Sequence, residues 1–208
     1  VKEQLEEISK AQISTIRALA FLAESRDKET GEHIDRVGIL CQMISEELPL
    51  EYFESAEERR EFCKTIPLAS ALHDIGTVGI SDDILNKPGP LNEEEFAIMK
   101  THPQIGSETL KKLLDQYPNN YFVKVGIEIT HYHHEKWDGT GYPVGLQGEE
   151  IPLSARIMAV ADVYDALTSK RPYKDAFSHE KAMGIMEKES GRHFDPVILR
   201  YFFDFYNE

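Results

Sequence analysis

The sequence contains little cysteine. Cys41 and Cys63 are the two cysteines among its 208 residues, and they form no Cys-x-x-Cys pair. Disulfide scaffolds and thiolate zinc sites both require several cysteines at short, paired spacings. The sequence therefore argues against both arrangements, and we expect two separate thiols in a reducing compartment.

Long apolar runs are missing as well. No stretch approaches the roughly 18 apolar residues of a membrane span. The charged N-terminal segment 1–7 also lacks the apolar core of a signal peptide. We therefore expect a soluble, cytoplasmic protein with no membrane span in this segment.

Positive charge is scarce relative to negative charge. The chain has 23 Lys+Arg against 37 Asp+Glu, which gives a formal net charge of -14. A protein that coats nucleic acid needs a basic face to neutralise phosphates, so we expect no nucleic acid polymer as a partner. A small phosphorylated substrate stays compatible with this charge, because bound divalent metals invert the local field of an acidic pocket.

Alternating strand patterns and internal repeats are absent, whereas helical spacing of apolar residues recurs along the chain. The spacing predicts helices over about 1–25, 28–48, 57–79, 92 onward, 103–114, 121–134, 154–168, 178–189 and 195–206. Residues 50–60 are predicted to form a polar surface loop, and Lys-Pro-Gly-Pro predicts a second loop over 81–90. The chain is therefore assigned to the all-α class.

Two helix starts carry capping signals. Asn92 followed by Glu95 has the pattern of a capping box, and Asp195 is placed to cap a helix that has Pro196 in its first turn. We expect residues 1–25 to form a stalk or linker helix ahead of a domain over 26–208.

The stalk helix has more than one interpretation. An upstream sensory or receiver domain would precede it, or it would be a natural N-terminal helix that packs on its own core. It is also a candidate for homodimerisation as a coiled coil, although 25 residues form a short seam.

Histidine and aspartate occur in segments that are otherwise apolar. His73 and Asp74 are adjacent in the stretch 67–76, where an unpaired acid is costly to bury and a metal ion would relieve the cost. In isolation, a core histidine that is hydrogen-bonded to the neighbouring aspartate is the preferred interpretation of this pair. Adjacent helical residues diverge by about 100°, so both reach one ion only at a helix edge beside a cleft.

Two other predicted helices add candidate metal ligands. Glu29 and His33 are spaced i,i+4, which places a carboxylate and an imidazole on one helical face. Asp162 lies in an apolar helix, and an acid on the core-facing side of such a helix is unexpected unless it has a function such as metal binding. Asp165, one turn on, is expected to accept a structural hydrogen bond.

A third cluster crowds the end of one helix. His131, His133 and His134 lie there, and at least one of them is expected to be structural. His134 and Glu135 resemble the start of a zincin motif, but Asp138 stands where the second zinc-binding histidine would be required.

His102 opens a later helix, so the histidine and aspartate donors come from several distant segments. A glycine-rich loop over 135–143 and a basic stretch over 170–174 accompany them. Imidazole and carboxylate ligands together suit iron, manganese or zinc, and the combination predicts a metalloenzyme.

In these ordered motifs the chain resembles the HD-GYP family, the branch of HD-domain phosphohydrolases that opens cyclic di-GMP in bacteria. The resemblance covers about residues 15–207. Its specific segments are Arg26-Asp-Lys-Glu-Thr-Gly-Glu-His33, His73-Asp-Ile-Gly76, Ile84-Leu-Asn-Lys-Pro-Gly-Pro-Leu91, His133-His-Glu-Lys-Trp-Asp-Gly-Thr-Gly-Tyr-Pro143 and Ala161-Asp-Val-Tyr-Asp-Ala-Leu-Thr-Ser-Lys-Arg-Pro-Tyr-Lys174.

The resemblance implies an HD-domain helical bundle with an N-terminal stalk helix. It implies hydrolysis of cyclic di-GMP to pGpG, and onward to GMP after a second cut, through a metal-bridging hydroxide. Two or three divalent ions, iron or manganese, are implied. The implied metal ligands are His33, His73, Asp74, His102, His133, His134 and Asp162, with Glu29 where a third ion is held. His73 and Asp74 are the implied catalytic pair. The implied substrate-binding residues are Asp27, Tyr142, Arg171 and Lys174.

One position departs from the family pattern. The family usually has lysine after His-Asp-Ile-Gly, near the metals and the scissile phosphate, but this chain has Thr77. Loss of that ammonium is expected to slow turnover by on the order of 10²-fold, by analogy with loss of an oxyanion-hole donor. Two alternatives therefore stay open. One is a catalytically weak module that binds ligand and signals through the stalk, and the other is a hydrolase of a related substrate such as cyclic GMP-AMP or a nucleoside phosphate.

Overall fold

The computed structural model describes residues 2–26, 32–170 and 175–206, and within them it contains α-helices, short 3₁₀ turns and no β-strand. The all-α prediction is confirmed. The α-helices are α1 Lys2–Glu24, α2 Glu32–Glu47, α3 Ala56–Ala69, α4 Asp82–Leu85, α5 Glu93–Met99, α6 His102–Gln116, α7 Tyr121–Tyr132, α8 Leu153–Thr168, α9 His179–Lys188 and α10 Pro196–Tyr206. The 3₁₀ turns are Leu50–Tyr52, Ser70–Leu72, Ile75–Gly79 and Gly148–Glu150.

The main core lies between α2, α3, α7, α8, α9 and α10. Ile66, Ile129, Met158 and Phe202 are among its fully buried side chains, and burying a side chain of this kind contributes about 1.5–3 kcal/mol. Helix α8 is buried on all sides along most of 154–161. It therefore crosses the middle of the bundle, and near its end Asp165 is buried while Asp162 is partly exposed.

The helix predicted over 57–79 is wrong in its second half. Helix α3 ends at Ala69, and the chain continues through the 3₁₀ turns Ser70–Leu72 and Ile75–Gly79. Gly76 explains the break, since a Cβ there would lie 1.9 Å from the carbonyl oxygen of His102. The turn around Gly76 lies so close to the start of α6 that a residue with a side chain at this position would clash with the α6 backbone.

Two predicted loops contain helix. Helix α3 begins at Ala56, one residue before the start predicted at 57, so the second half of the loop predicted over 50–60 is helical. The Ser55 hydroxyl accepts a hydrogen bond from the Glu58 amide and caps this helix. Helix α4 likewise lies inside the loop predicted over 81–90.

The predicted capping signals are confirmed. Asn92 and Glu95 form a reciprocal capping box at the start of α5. The Asp195 carboxylate accepts hydrogen bonds from the amides of Val197 and Ile198 at the start of α10.

The C-terminal end of α1 packs on the rest of the described chain. Ala20 and Ala23 are buried, and Ala20 clusters with Ile34 and Ala71. The Arg26 guanidinium, just after α1, donates to the backbone carbonyl oxygen of Val78 at 2.8 Å. The boundary at residue 25, the upstream domain and the dimer stay predictions.

Both cysteines are free thiols, and Cys41 belongs to the main core. Among the described helices, none combines the length and the apolar character needed to cross a bilayer.

Candidate metal centre

Seven of the predicted metal ligands lie in two adjoining groups. Within each group, one ligand atom per residue lies within 4.8 Å of the others. The first group is Asp74, His102, His133 and His134, and the second is His33, His73 and Asp162. Four other predicted site residues lie outside the described residues: Asp27, Glu29, Arg171 and Lys174.

Asp74 lies between the two groups. Its Oδ1 is 3.1 Å from His102 Nε2 and 3.4 Å from His133 Nε2, both in the first group. Its Oδ2 is 3.4 Å from Nε2 of His73, in the second group. In the second group, His33 Nε2 lies 3.8 Å from Asp162 Oδ1. One carboxylate thus presents an oxygen to each group.

The glycines of the broken helix bring these side chains together. A Cβ at Gly76 would also lie 2.6 Å from the amide nitrogen of Gly106, so the turn after Asp74 rests directly on α6. His102 is the first residue of α6. The close approach therefore brings His102 to Asp74 across 28 residues of sequence.

Backbone carbonyls orient three of the imidazoles. Nδ1 of His73 lies 2.9 Å from the Ser70 oxygen, and Nδ1 of His133 lies 3.0 Å from the Ile129 oxygen. His102 Nδ1 lies 2.8 Å from the Met99 oxygen. A carbonyl oxygen only accepts, so each Nδ1 carries the proton and each Nε2 lone pair faces the centre.

His33 is oriented by a carboxylate instead. Its Nδ1 lies 2.7 Å from Oδ2 of Asp165, which also accepts from the Arg36 guanidinium. Burial acts to raise the pKa of Asp165, but the hydrogen bonds from His33 and Arg36 lower it to about 2. Asp165 does accept a hydrogen bond, as predicted, but the sequence interpretation missed that its donor is a candidate metal ligand.

The protonation of the cluster suits metal binding. Burial acts to raise the pKa of Asp74, but the surrounding His73, His102 and His133 hold that pKa well below its usual range. Burial and the neighbouring His133 hold the pKa of His134 well below its usual range. Near neutral pH, Asp74 is therefore an anion and His134 a neutral base, which are the forms that ligate metals.

Buried atoms in the first group lack hydrogen-bond partners. Oδ1 of Asp74, Nε2 of His102 and Nε2 of His133 are buried without one. Leaving a polar atom in that state costs about 1–3 kcal/mol. A cation satisfies all three atoms at once, and imidazole with carboxylate is a donor set for first-row divalent metals. The residues present therefore fit a metal ion.

The loop after α7 is held by a buried acid. The Glu135 carboxylate is 2% exposed and accepts from the amides of Val144, Gly145 and Leu146. A Cβ at Gly141 would lie 2.3 Å from the Lys136 nitrogen, so only glycine fits the turn. Sequence reasoning weighed Glu135 only as part of a zincin motif and missed this anchoring role.

The anchored loop delivers Tyr142 to the centre. The Tyr142 ring stacks on His134, with centroids 4.7 Å apart and an interplanar angle of 29°. Burial, together with the charges of Asp74 and Asp162, raises the pKa of Tyr142. The phenol therefore stays neutral beside the metal ligands.

Two residues differ from the ligands in their surroundings. His131 is in neither group, and its Nδ1 lies 2.7 Å from the Ser107 hydroxyl. The Thr77 hydroxyl donates to the Asp74 carbonyl oxygen at 2.8 Å, and its side chain is buried. Position 77 therefore contributes a neutral, internally bonded group.

Comparison with known proteins places these features in a family. The sequence profile described as HD domain matches residues 17–198. A cyclic di-GMP phosphodiesterase of Vibrio cholerae is 48% identical over 187 residues, which cover 90% of this chain and 38% of that protein. A 3'3'-cGAMP-specific phosphodiesterase of the same organism is 40% identical, over 91% of this chain and 34% of that protein.

A solved structure shares the fold. It is a cyclic GMP-AMP-specific phosphodiesterase of V. cholerae, which superposes with a TM-score of 0.66 at 21% identity, over 93% of this chain and 49% of that chain. The chain spans less than half the length of each of these proteins. The resemblance predicted from the motifs is confirmed.

Proposed function

We propose that this chain, which belongs to the HD domain family, is a metal-dependent phosphodiesterase that hydrolyses cyclic di-GMP to pGpG. One observation carries the proposal. Two adjoining groups of histidine and aspartate meet at Asp74, which presents one carboxylate oxygen to each, and buried atoms of the first group have no hydrogen-bond partner in the protein. The similarity to a cyclic di-GMP phosphodiesterase over 90% of the chain supports the substrate class.

Family membership and the His/Asp cluster together identify a divalent metal site. We propose that it holds two ions, iron or manganese, one in each group, and that Glu29 adds a ligand where a third is held. Such ions lower the pKa of water to near neutrality and stabilise negative charge on phosphoryl oxygens.

The protein's own contribution is to hold these ligands rigidly. Carbonyl oxygens fix the tautomers of three histidines, Asp165 fixes that of His33, and the ionised Asp74 offers one oxygen to each group. In the proposal His73 and Asp74 are the central catalytic pair, because they join the two groups. A preorganised cluster of this kind needs no reorganisation when charge develops on the substrate.

Substrate contacts are proposed for the residues around the cluster. Tyr142 lies against His134 and has an aromatic face suited to a nucleobase. Arg171 and Lys174 supply the positive charge that phosphates require, and Asp27 follows α1. The assignments of Arg171, Lys174 and Asp27 rest on the family resemblance.

Hydrolysis of 3'3'-cGAMP is a second candidate. A relative of that specificity is 40% identical to this chain and matches 91% of it. Both substrates are cyclic purine dinucleotides, so the metal cluster serves either one. The residues that contact the bases decide between them.

The test combines anaerobic metal analysis of the purified chain with chromatography of its products from cyclic di-GMP and from 3'3'-cGAMP. The expected result is two or three iron or manganese ions per chain and the appearance of pGpG. Metal without turnover of either substrate would contradict the enzymatic proposal and favour a binding module. Faster turnover of 3'3'-cGAMP would favour the second candidate.

A further inference from the structure

Helix α5 carries an exposed aromatic residue that belongs to none of the hydrophobic core clusters of the described residues. The helix spans Glu93–Met99 and contains no buried residue. Phe96, in its middle, is 45% exposed. An exposed phenylalanine on a helix that buries no residue contributes little to the stability of the fold.

The Phe96 ring extends an aromatic path from the surface to the metal centre. Its centroid lies 6.3 Å from that of Tyr142, with the rings at 79°. Tyr142 in turn stacks on the metal-group residue His134 at 4.7 Å. Edge-to-face and stacked rings at these distances attract each other, so the path is a continuous surface.

An ammonium group lies on this surface. Lys100 Nζ is 5.1 Å from the centroid of Phe96 and 5.9 Å from that of Tyr142. Among the described residues, no carboxylate forms an ion pair with Lys100. By contrast, Lys87 pairs with Glu95 of α5 at 2.5 Å, and Arg26 pairs with Asp82 at 2.8 Å.

The Lys100 ammonium favours a ligand that carries negative charge. Thr77, on the turn after Asp74, is neutral and supplies no positive charge. Lys100 therefore supplies positive charge at the outer end of the aromatic path. An ammonium and a ring face side by side match a nucleotide, which combines a phosphate with an aromatic base.

We propose that Phe96 and Lys100 are substrate-binding residues, with one purine base stacking on Phe96 beside Tyr142 and Lys100 contacting a phosphate oxygen. The inference rests on the proposed function and extends it, since it assigns base recognition to α5.

A fluorescent variant tests the stacking directly. Phe96→Trp adds an indole on α5, and wild-type protein, whose single tryptophan is Trp137, supplies the background signal. Both proteins, loaded with metal, are titrated with the bis-phosphorothioate analogue of cyclic di-GMP, which resists hydrolysis. Quenching of the added emission is expected with this analogue and not with inorganic phosphate, which has no base.

Matched substitutions separate the two contacts. Phe96→Leu keeps the residue apolar but removes the ring, and it is expected to raise Kd for the analogue by on the order of 10-fold or more. Phe96→Tyr is expected to retain binding. Lys100→Met is expected to raise Kd and to reduce its salt dependence, whereas Lys100→Arg restores both.

Ile98 provides the control, because it is 47% exposed on the same helix and has no ring to stack. Ile98→Ala is expected to leave Kd unchanged, and metal content is expected to be unchanged in every variant. If wild-type protein binds the analogue but Phe96→Leu and Lys100→Met bind it equally well, the inference is overturned and the proposed function stands. If wild-type protein with its full metal content does not bind the analogue, both fail.

Discussion

The Asp165 carboxylate accepts a hydrogen bond from Nδ1 of His33 at 2.7 Å, across 132 residues of sequence. The bond directs His33 Nε2 toward His73 and Asp162. Asp165 lies one helical turn from Asp162, so α8 supplies both a proposed metal ligand and the group that orients another.

Replacing Asp165 is expected to weaken metal binding. Asp165→Asn keeps the shape of the side chain but removes the anionic acceptor, so the His33 ring loses its fixed tautomer and some of its basicity. Loss of such a partner typically costs about 10–100-fold in metal affinity. Competition with a chelator measures the change. A metal affinity equal to that of wild type would contradict the orienting role.

The same carboxylate predicts an acid-dependent loss of stability. Its pKa is lowered to about 2 in the folded protein, from about 3.9 in an unfolded chain. Its contribution, about 2–3 kcal/mol, is therefore complete above pH 4 and is lost as the pH falls from 4 to 2. Urea unfolding in the presence of a chelator measures this. The wild-type advantage over Asp165→Asn should shrink across that range, and a constant difference would refute the assignment.

Removing the shared ligand is expected to abolish metal binding. Asp74→Asn converts the carboxylate that faces both groups into an amide, which is a poor metal ligand, and metal content and turnover should fall together. Asp83→Asn, at an exposed position on α4, is the matched control. Full turnover by a metal-depleted Asp74→Asn protein would overturn the proposed mechanism.

The loop anchor is expected to matter for stability and for substrate affinity. Glu135→Gln leaves an acceptor weaker than the carboxylate for three backbone amides, with an expected cost of about 1–3 kcal/mol in the free energy of unfolding. Because the loop carries Tyr142, KM is expected to rise more than kcat falls. Denaturant unfolding and steady-state kinetics measure both, with the exposed Glu149→Gln as control. A change in kcat alone would argue against the anchor.

Restoring the lysine of the family pattern is expected to raise turnover. Thr77→Lys adds an ammonium beside the backbone of Asp74, where it stabilises negative charge on the phosphate. Thr77→Met, similar in length but uncharged, is the control for shape. Equal rates for the two variants would mean that charge at position 77 does not limit the reaction.

The helical class and several helix ends could be predicted from the amino-acid sequence, because they depend on contacts between residues only a few positions apart. The spacing of apolar residues predicted the helices, and Asn92 with Glu95 predicted the start of α5. The resemblance carried by the ordered motifs also implied seven metal ligands that the structure brings together in two groups.

The arrangement of those residues around the metal centre depends on long-range packing and could not be predicted from local sequence. The helix predicted over 57–79 breaks because Gly76 packs against α6, a contact that has no local signal in the sequence. The pairing of His33 with Asp165 and of Phe96 with Tyr142 likewise joins segments that are distant along the chain. The periodicity of apolar residues indicates which face of a helix is buried. Which other helix packs against that face depends on the packing of the whole bundle.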